Sequence, residues 1–246
     1  MMQNKNNYAL VLGATGGIGQ AICGQLAKSG WSIYIHYNER EEEAKKLQSD
    51  LTELYPQLEF LLVQGNFINE DGANQVALQI PQVRAIVVAN GQSMNKLLTE
   101  TTTADMDALW KVHVQNPARL VSLLAARLRK SKESYVVFIG SIWGNTGAAG
   151  EVMYSAVKGA QHAFVKAYAK EASYAGIRVN AIAPGWIETR MNDCIPADEK
   201  EMIMQEIPLL TTGTPQHVAD LVDFLLSGKA DYMTGEILKL NGGWYI

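Results

Sequence analysis

Short apolar runs recur along the chain at 8–12, 32–37, 60–63, 85–88, 135–139, 179–182 and 237–240. They lack clean alternation of apolar and polar positions, which is the pattern of strands covered on both faces. Stretches of helical periodicity lie between them, near 17–29, 40–55, 70–80, 103–130, 152–175 and 215–227. Strands regularly separated by helices predict an α/β fold with a doubly wound parallel sheet of about seven strands and helices on both faces. Ligands of such sheets lie at the carboxyl ends of the strands. No repeat, low-complexity stretch or linker divides the chain, so one domain spanning 1–246 is expected.

Composition narrows the class of protein. The 246 residues are 48% hydrophobic and 19% charged, an ordinary globular balance. A formal charge of −4 argues against a nucleic-acid partner or an anionic membrane surface. Cys23 and Cys194 share no metal-ligand spacing and are expected as free thiols in a reducing compartment. His36, His113, His162 and His217 are scattered, so no metal site is expected. The polar N-terminus leads straight into the first strand, with no signal peptide or membrane-length apolar run. A cytoplasmic protein is expected.

The chemistry concentrates in a few residues at predicted strand ends. Gly13, Gly17 and Gly19 form a Gly-x-x-x-Gly-x-Gly turn between the first strand and first helix. Such a turn admits a pyrophosphate to the backbone and to the positive end of the helix dipole, although a plain strand-to-helix turn has the same composition. Tyr154 and Lys158 stand four residues apart, on one face of a predicted helix, with Ser141 upstream. A fixed positive charge near a phenol favours phenolate and makes the tyrosine a usable acid or base. A serine hydroxyl can hold a carbonyl oxygen beside it. Read alone, a Tyr-x-x-x-Lys pair is as often a simple helix surface pair.

In this order, Gly13/Gly17/Gly19, Ser141, Tyr154, Lys158 and Pro184-Gly185 resemble the short-chain dehydrogenase/reductase family over essentially the whole chain. The resemblance extends to the segment 182–189 and to the tail 232–243, which is similar to the β-ketoacyl-carrier-protein reductases of fatty acid biosynthesis. It implies a Rossmann-like fold, NADPH-dependent reduction of a ketone to a secondary alcohol, and pairing into homodimers or homotetramers. Tyr154 is then the proton donor, Lys158 tunes it and holds the nicotinamide ribose, and Ser141 orients the carbonyl. The implied cofactor contacts are Gly13, Thr15, Gly17, Ile18 and Gly19 in the first turn. After the second strand come Tyr37, Asn38 and Arg40, and after the third Asn66 and Phe67. Asn90 and Gly91 follow the fourth strand. Pro184, Gly185, Ile187 and Thr189 follow the sixth, with Tyr154 and Lys158 at the nicotinamide. The choice of NADPH rests on the second strand end, where Tyr37 stands in place of a ribose-binding carboxylate. Arg40, or a polar group of Tyr37 or Asn38, can meet a 2′-phosphate, whereas Glu39 is expected to open the next helix.

The chain departs from the family pattern at three places. Leu12 stands where Thr opens the glycine motif, Asn-Ala-Gly reads Ala89-Asn90-Gly91, and the helical Asn of the catalytic set aligns with His113. His113 can be an inert helix residue, an added acid–base group, or a contributor of its main-chain carbonyl. The third reading follows from Pro117, which has no N–H for the carbonyl four residues back. That freed carbonyl can hold a water, which the family resemblance implies would link to Lys158 in a proton relay.

The substrate is less defined by sequence. Residues 186–212 carry Trp186, Met191, Ile195, Met202, Ile203 and Ile207, enough for a lid over an acyl chain or for an ordinary packed helix. Arg127, Arg129, Lys130 and Lys132 complement the end of a helix dipole, or else form a docking patch for acyl carrier protein extended by Lys166 and Lys170. The altered Ala89-Asn90-Gly91 and the 112–117 segment resemble a branch whose members include reductases of a 5-aminopentanone group on elongation factor P. A cofactor-binding regulator without turnover is a further reading, opposed by the intact Ser141/Tyr154/Lys158 set. Ala156, Ala160 and Ala163 suit close helix packing, on a partner subunit or on the chain's own sheet.

Overall fold

The computed structural model describes residues 7–190 and 195–246. Strands β1 (Tyr8–Leu12), β2 (Ser32–Tyr37), β3 (Phe60–Gln64), β4 (Ala85–Val88), β5 (Ser134–Ile139), β6 (Ile177–Pro184) and β7 (Ile237–Leu240) form one seven-stranded sheet. Its order is β3-β2-β1-β4-β5-β6-β7 and every pairing is parallel. The chain reverses its direction of winding between β1 and β4, which opens a crevice at their carboxyl ends.

Each central strand contributes to two cores. Ala9 and Val11 of β1 belong to the cluster formed with Ile22, Cys23 and Leu26 of α1 (Gly17–Lys28) and Val218, Val222 and Leu226 of α9 (Pro215–Leu226). Leu10 and Leu12 belong to the opposite cluster. That second core holds Val76 of α3 (Gly72–Leu78), Leu120 and Leu124 of α5 (Asn116–Leu128), and Val165 and Ala169 of α7 (Val152–Ala172). Burial on both faces explains why the strand runs read as continuous apolar segments. β3, at the sheet edge, alone leaves an apolar residue, Leu61, 41% exposed.

The predicted continuous helix over 103–130 is three segments. α4 (Thr103–Trp110) starts on a Thr102–Asp105 capping box and gives way to a π-turn over Lys111–Gln115 before α5 begins. Pro117 is the physical cause. It cannot donate to the His113 carbonyl, and the ladder widens there instead of closing. Strand β6 also runs beyond its predicted ends, because its flanking positions pair with β5 and β7.

In the predicted lid, α8 (Ala197–Glu206) exposes Met202, while Ile207 is buried against Gly242. Met191 and Cys194 lie outside the described residues. No described helix is long and apolar enough to cross a membrane.

Candidate active site

The glycine turn leaves β1 at Gly13, whose φ of +70° is a left-handed conformation. A Cβ there would also lie 2.7 Å from the Asn90 Cα, so glycine is required twice over. The Gly13 N–H donates to Nδ1 of His36 at 3.1 Å, and the His36 Nε2–H donates to the Gly65 carbonyl at 3.1 Å. The buried imidazole thus bridges the ends of β1, β2 and β3, and burial holds it neutral, down to about 4. His36 thus braces the expected cofactor turn. Helix α1 begins just beyond, with Gly16 as an N-cap that makes no side-chain bond and with no acidic residue in the first turn. Its first N–H groups are left for an anion, so the turn fits a dinucleotide pyrophosphate.

The remaining expected cofactor residues ring this turn. The Thr15 carbonyl accepts from Gln20 and from Nη2 of Arg190. Arg190, a cation beside Thr189, was not anticipated. The Thr189 methyl lies 3.4 Å from where a Cβ of Gly17 would stand. Ile18 packs on the first core, and Ile187 is buried in a bridge to Gly213. After β2, Tyr37 is buried while Asn38 and Arg40 lie at the surface end of the crevice. Glu39 does not open the next helix. α2 (Glu41–Leu54) starts later, with Arg40 as its N-cap. After β3, Asn66 Oδ1 accepts from the Ile68 N–H, and the Phe67 ring packs on His36 at 5.2 Å. Pro184 ends β6, with Gly185 close against Asn241.

The catalytic set converges at the ends of β5 and β4. Ser141, just past β5, accepts from the Trp143 N–H at 3.2 Å and hydrogen-bonds the Tyr154 phenol. Lys158, one turn along α7, is buried; its Nζ lies 5.5 Å from the Tyr154 ring centroid and donates to the Ile139 carbonyl at 2.9 Å. Burial pulls the Lys158 amine down to about 7. Burial, and then the Glu151 carboxylate, push the Tyr154 phenol well above its ordinary value, against a smaller opposing effect of the Ser141 bond. Burial therefore favours the protonated phenol. That is the protonation state a proton donor needs.

His113 is buried to 1% exposure, with its ring edge-on to Tyr154 at 5.7 Å between centroids. A Cβ on Gly91 would lie 2.7 Å from the His113 Cε1, so the ring fills the space beside that glycine. The His113 Nε2 sits 2.9 Å from the Gln92 carbonyl, and burial followed by the Lys158 charge lowers the ring to about 3. Burial thus favours the neutral ring. The carbonyl freed by Pro117 is not left to a water alone, because Gln161 donates its side-chain N–H to it at 2.7 Å. Asn90 ties its side-chain amide to the adjoining Val112 carbonyl at 2.9 Å. Gln161 lies three positions after Lys158, a spacing that could have marked it as sharing that helix face.

A glycine turn, an uncapped helix start and a Ser–Tyr–Lys set at adjoining strand ends of this topology decide the family. The chain belongs to the short-chain dehydrogenase/reductase family. Residues 13–245 match the family described as Enoyl-(Acyl carrier protein) reductase. An uncharacterized oxidoreductase of Bacillus subtilis, YmfI, is 41% identical over 98% of this chain and 99% of its own. A 3-oxoacyl-[acyl-carrier-protein] reductase of Aquifex aeolicus is 32% identical over 98% of each chain. A crystal structure of a short-chain dehydrogenase/reductase from Brucella melitensis superposes with a TM-score of 0.90 at 25% identity, covering 98% of this chain and 97% of that one. Like its relatives, this short-chain dehydrogenase/reductase is an oxidoreductase.

Proposed function

We propose that the protein reduces a ketone to a secondary alcohol with NADPH, acting in the cytoplasm on a 3-oxoacyl group carried by acyl carrier protein. The observation that carries this reading is the convergence of Ser141, the Tyr154 phenol and the buried Lys158, whose Nζ lies 5.5 Å from the Tyr154 ring centroid. The bound cofactor supplies hydride to the carbonyl carbon. Ser141 and Tyr154 donate hydrogen bonds to the carbonyl oxygen, and Tyr154 passes its proton there as negative charge develops. Arg40, exposed after β2 with no buried carboxylate beside it, supports the phosphorylated cofactor. Exposed Ala156 and Ala163 on α7, near exposed Val152, favour a homodimer or homotetramer joined through this helix over packing on the chain's own sheet.

A second reading has its own support. Glu151, three residues before Tyr154 and half-buried, hydrogen-bonds Trp143 and sends its negative charge to the Tyr154 phenol. A carboxylate at that place complements a ketone bearing a protonated amine, such as a 5-aminopentanone group on elongation factor P, better than an uncharged acyl chain. NADPH oxidation measured with a short β-ketoacyl thioester and with the modified elongation factor separates the two. Tyr154→Phe is expected to lose at least about a hundredfold in kcat on the true substrate. Wild-type turnover by that variant would defeat both readings.

A further inference from the structure

The residues after β7 turn back onto the loop that carries Ser141. Gly242 and Gly243 take φ of +63° and +86°, a left-handed pair that reverses the chain. Asn241 locks the turn: its side-chain N–H donates to the Tyr245 carbonyl at 2.7 Å, and its Oδ1 accepts from the Gly243 N–H at 3.1 Å. Trp244 and Tyr245 are thereby set against Trp143, with ring centroids 5.4 and 5.5 Å from it and 5.2 Å from each other. Three half-buried rings pack as one wall, beginning two residues past Ser141, whose Oγ accepts from the Trp143 N–H.

The same wall reaches the lid. The Trp244 Nε1–H donates to Oε2 of Glu206, the last residue of α8, at 3.2 Å. Just beyond, the Leu209 N–H donates to the Gly242 carbonyl at 3.2 Å, and a Cβ on Gly243 would lie 3.3 Å from the Pro208 ring. Trp244 therefore touches both sides, Trp143 on the catalytic loop and Glu206 on the lid helix. A ketone held by Ser141 carries its carbon chain toward the space between them, and the rings take up that space. Close-packed rings give way to added methylenes only by moving.

We propose that Trp244 determines the size of ketone that the site accepts: it holds the end of α8 to the Ser141 loop and, with Trp143 and Tyr245, shuts out long acyl chains in favour of short ketones. The proposal rests on the ketone-reductase reading and deepens it by naming ketones with short carbon chains as the substrate class. Tyr154 and Ser141 fix the reaction, and the aromatic tail selects what reaches them.

The ratio of kcat/KM for a ten-carbon β-ketoacyl thioester to that for a four-carbon one reads the wall directly, because loss of folded protein lowers both alike. In the wild type the ratio is expected to lie below about one tenth, and Trp244→Ala is expected to raise it at least about tenfold. A wild-type ratio near one, or a ratio unmoved by the substitution, overturns the proposal. Amide hydrogen exchange reads the tie to the lid without turnover. Trp244→Ala is expected to speed exchange over 197–206 at least about tenfold while β1 and β4 keep their wild-type rates. An unchanged rate over 197–206, or a rise shared equally by β1 and β4, overturns the proposal. If exchange responds as expected and the wild type reduces neither thioester, the acyl-thioester reading fails instead.

Discussion

His113 stands where the family's catalytic set has a helical Asn, with a ring whose protonation burial disfavours. Its ring is neutral, and its carbonyl is held by Gln161 whatever side chain the position carries. His113→Asn leaves that carbonyl in place and gives up the Gln92 bond and the edge contact to Tyr154. The variant is expected to keep kcat within about tenfold of wild type, whereas loss of the acid itself costs at least about a hundredfold. Steady-state kinetics of the two variants side by side check this, and a loss as deep as that of Tyr154→Phe would return the ring to the chemistry. The Ser141, Tyr154 and Lys158 set was legible in sequence because its geometry is local: an i,i+4 pair on one helix and a hydroxyl at the end of a neighbouring strand. His36 and Gln161 were not legible. Their partners, Gly13, Gly65 and the His113 carbonyl, are remote in sequence and meet them only once the sheet is assembled.

At the scale of elements, the start of α1 carries the cofactor reading. Gly16 has an extended conformation, φ −76° and ψ 160°, that any residue can adopt, and its added Cβ would come 3.3 Å from the Gly13 carbonyl. Aspartate there caps the first turn, which stabilises a helix over glycine by only a few tenths of a kcal/mol, yet places a negative charge where a pyrophosphate is expected. Gly16→Asp should therefore leave the melting temperature of the free protein within about 1 °C of wild type or slightly raised and weaken NADPH binding by at least about tenfold. Thermal melts with and without NADPH read both effects. An undiminished cofactor-induced shift would mean that the pyrophosphate does not sit on α1. The sequence showed Pro117 and the carbonyl it frees but not the π-turn over Lys111–Gln115, which barely disturbs helical periodicity. Arg127 taught a related lesson. Read as a complement to its helix end or as part of a docking patch, it does lie in the last turn of α5, and it also donates to the Ala77 carbonyl at 3.0 Å, in the last turn of α3.

For the whole molecule, a doubly wound parallel sheet follows from the alternation of strands and helices, so the sheet was legible; which polar groups it traps was not. Three trapped histidines make the fold acid-sensitive. Burial holds His36 and His162 down to about 4 and His113 to about 3, while an unfolded chain titrates them near ~6.5. Their folded values are depressed, so the stability linked to them is present above the unfolded value and is lost as pH falls through the folded values. Between about pH 6.5 and 4 each histidine removes roughly 1.4 kcal/mol per pH unit. Lys158, depressed to about 7, completes its own loss above this window. Glu151, whose carboxyl is raised by burial, acts in the opposite sense as it protonates and offsets part of the loss at the acid end. Urea midpoints should therefore fall steeply from pH 7 to pH 5, before most carboxylates titrate. In His36→Gln the side-chain oxygen can accept from Gly13 and the amide donate to Gly65 without titrating, so the slope should become shallower while the midpoint at pH 7 stays near wild type. An equal slope in that variant would place the acid sensitivity elsewhere in the molecule, and a flat wild-type profile would show that these rings are not held neutral by the fold.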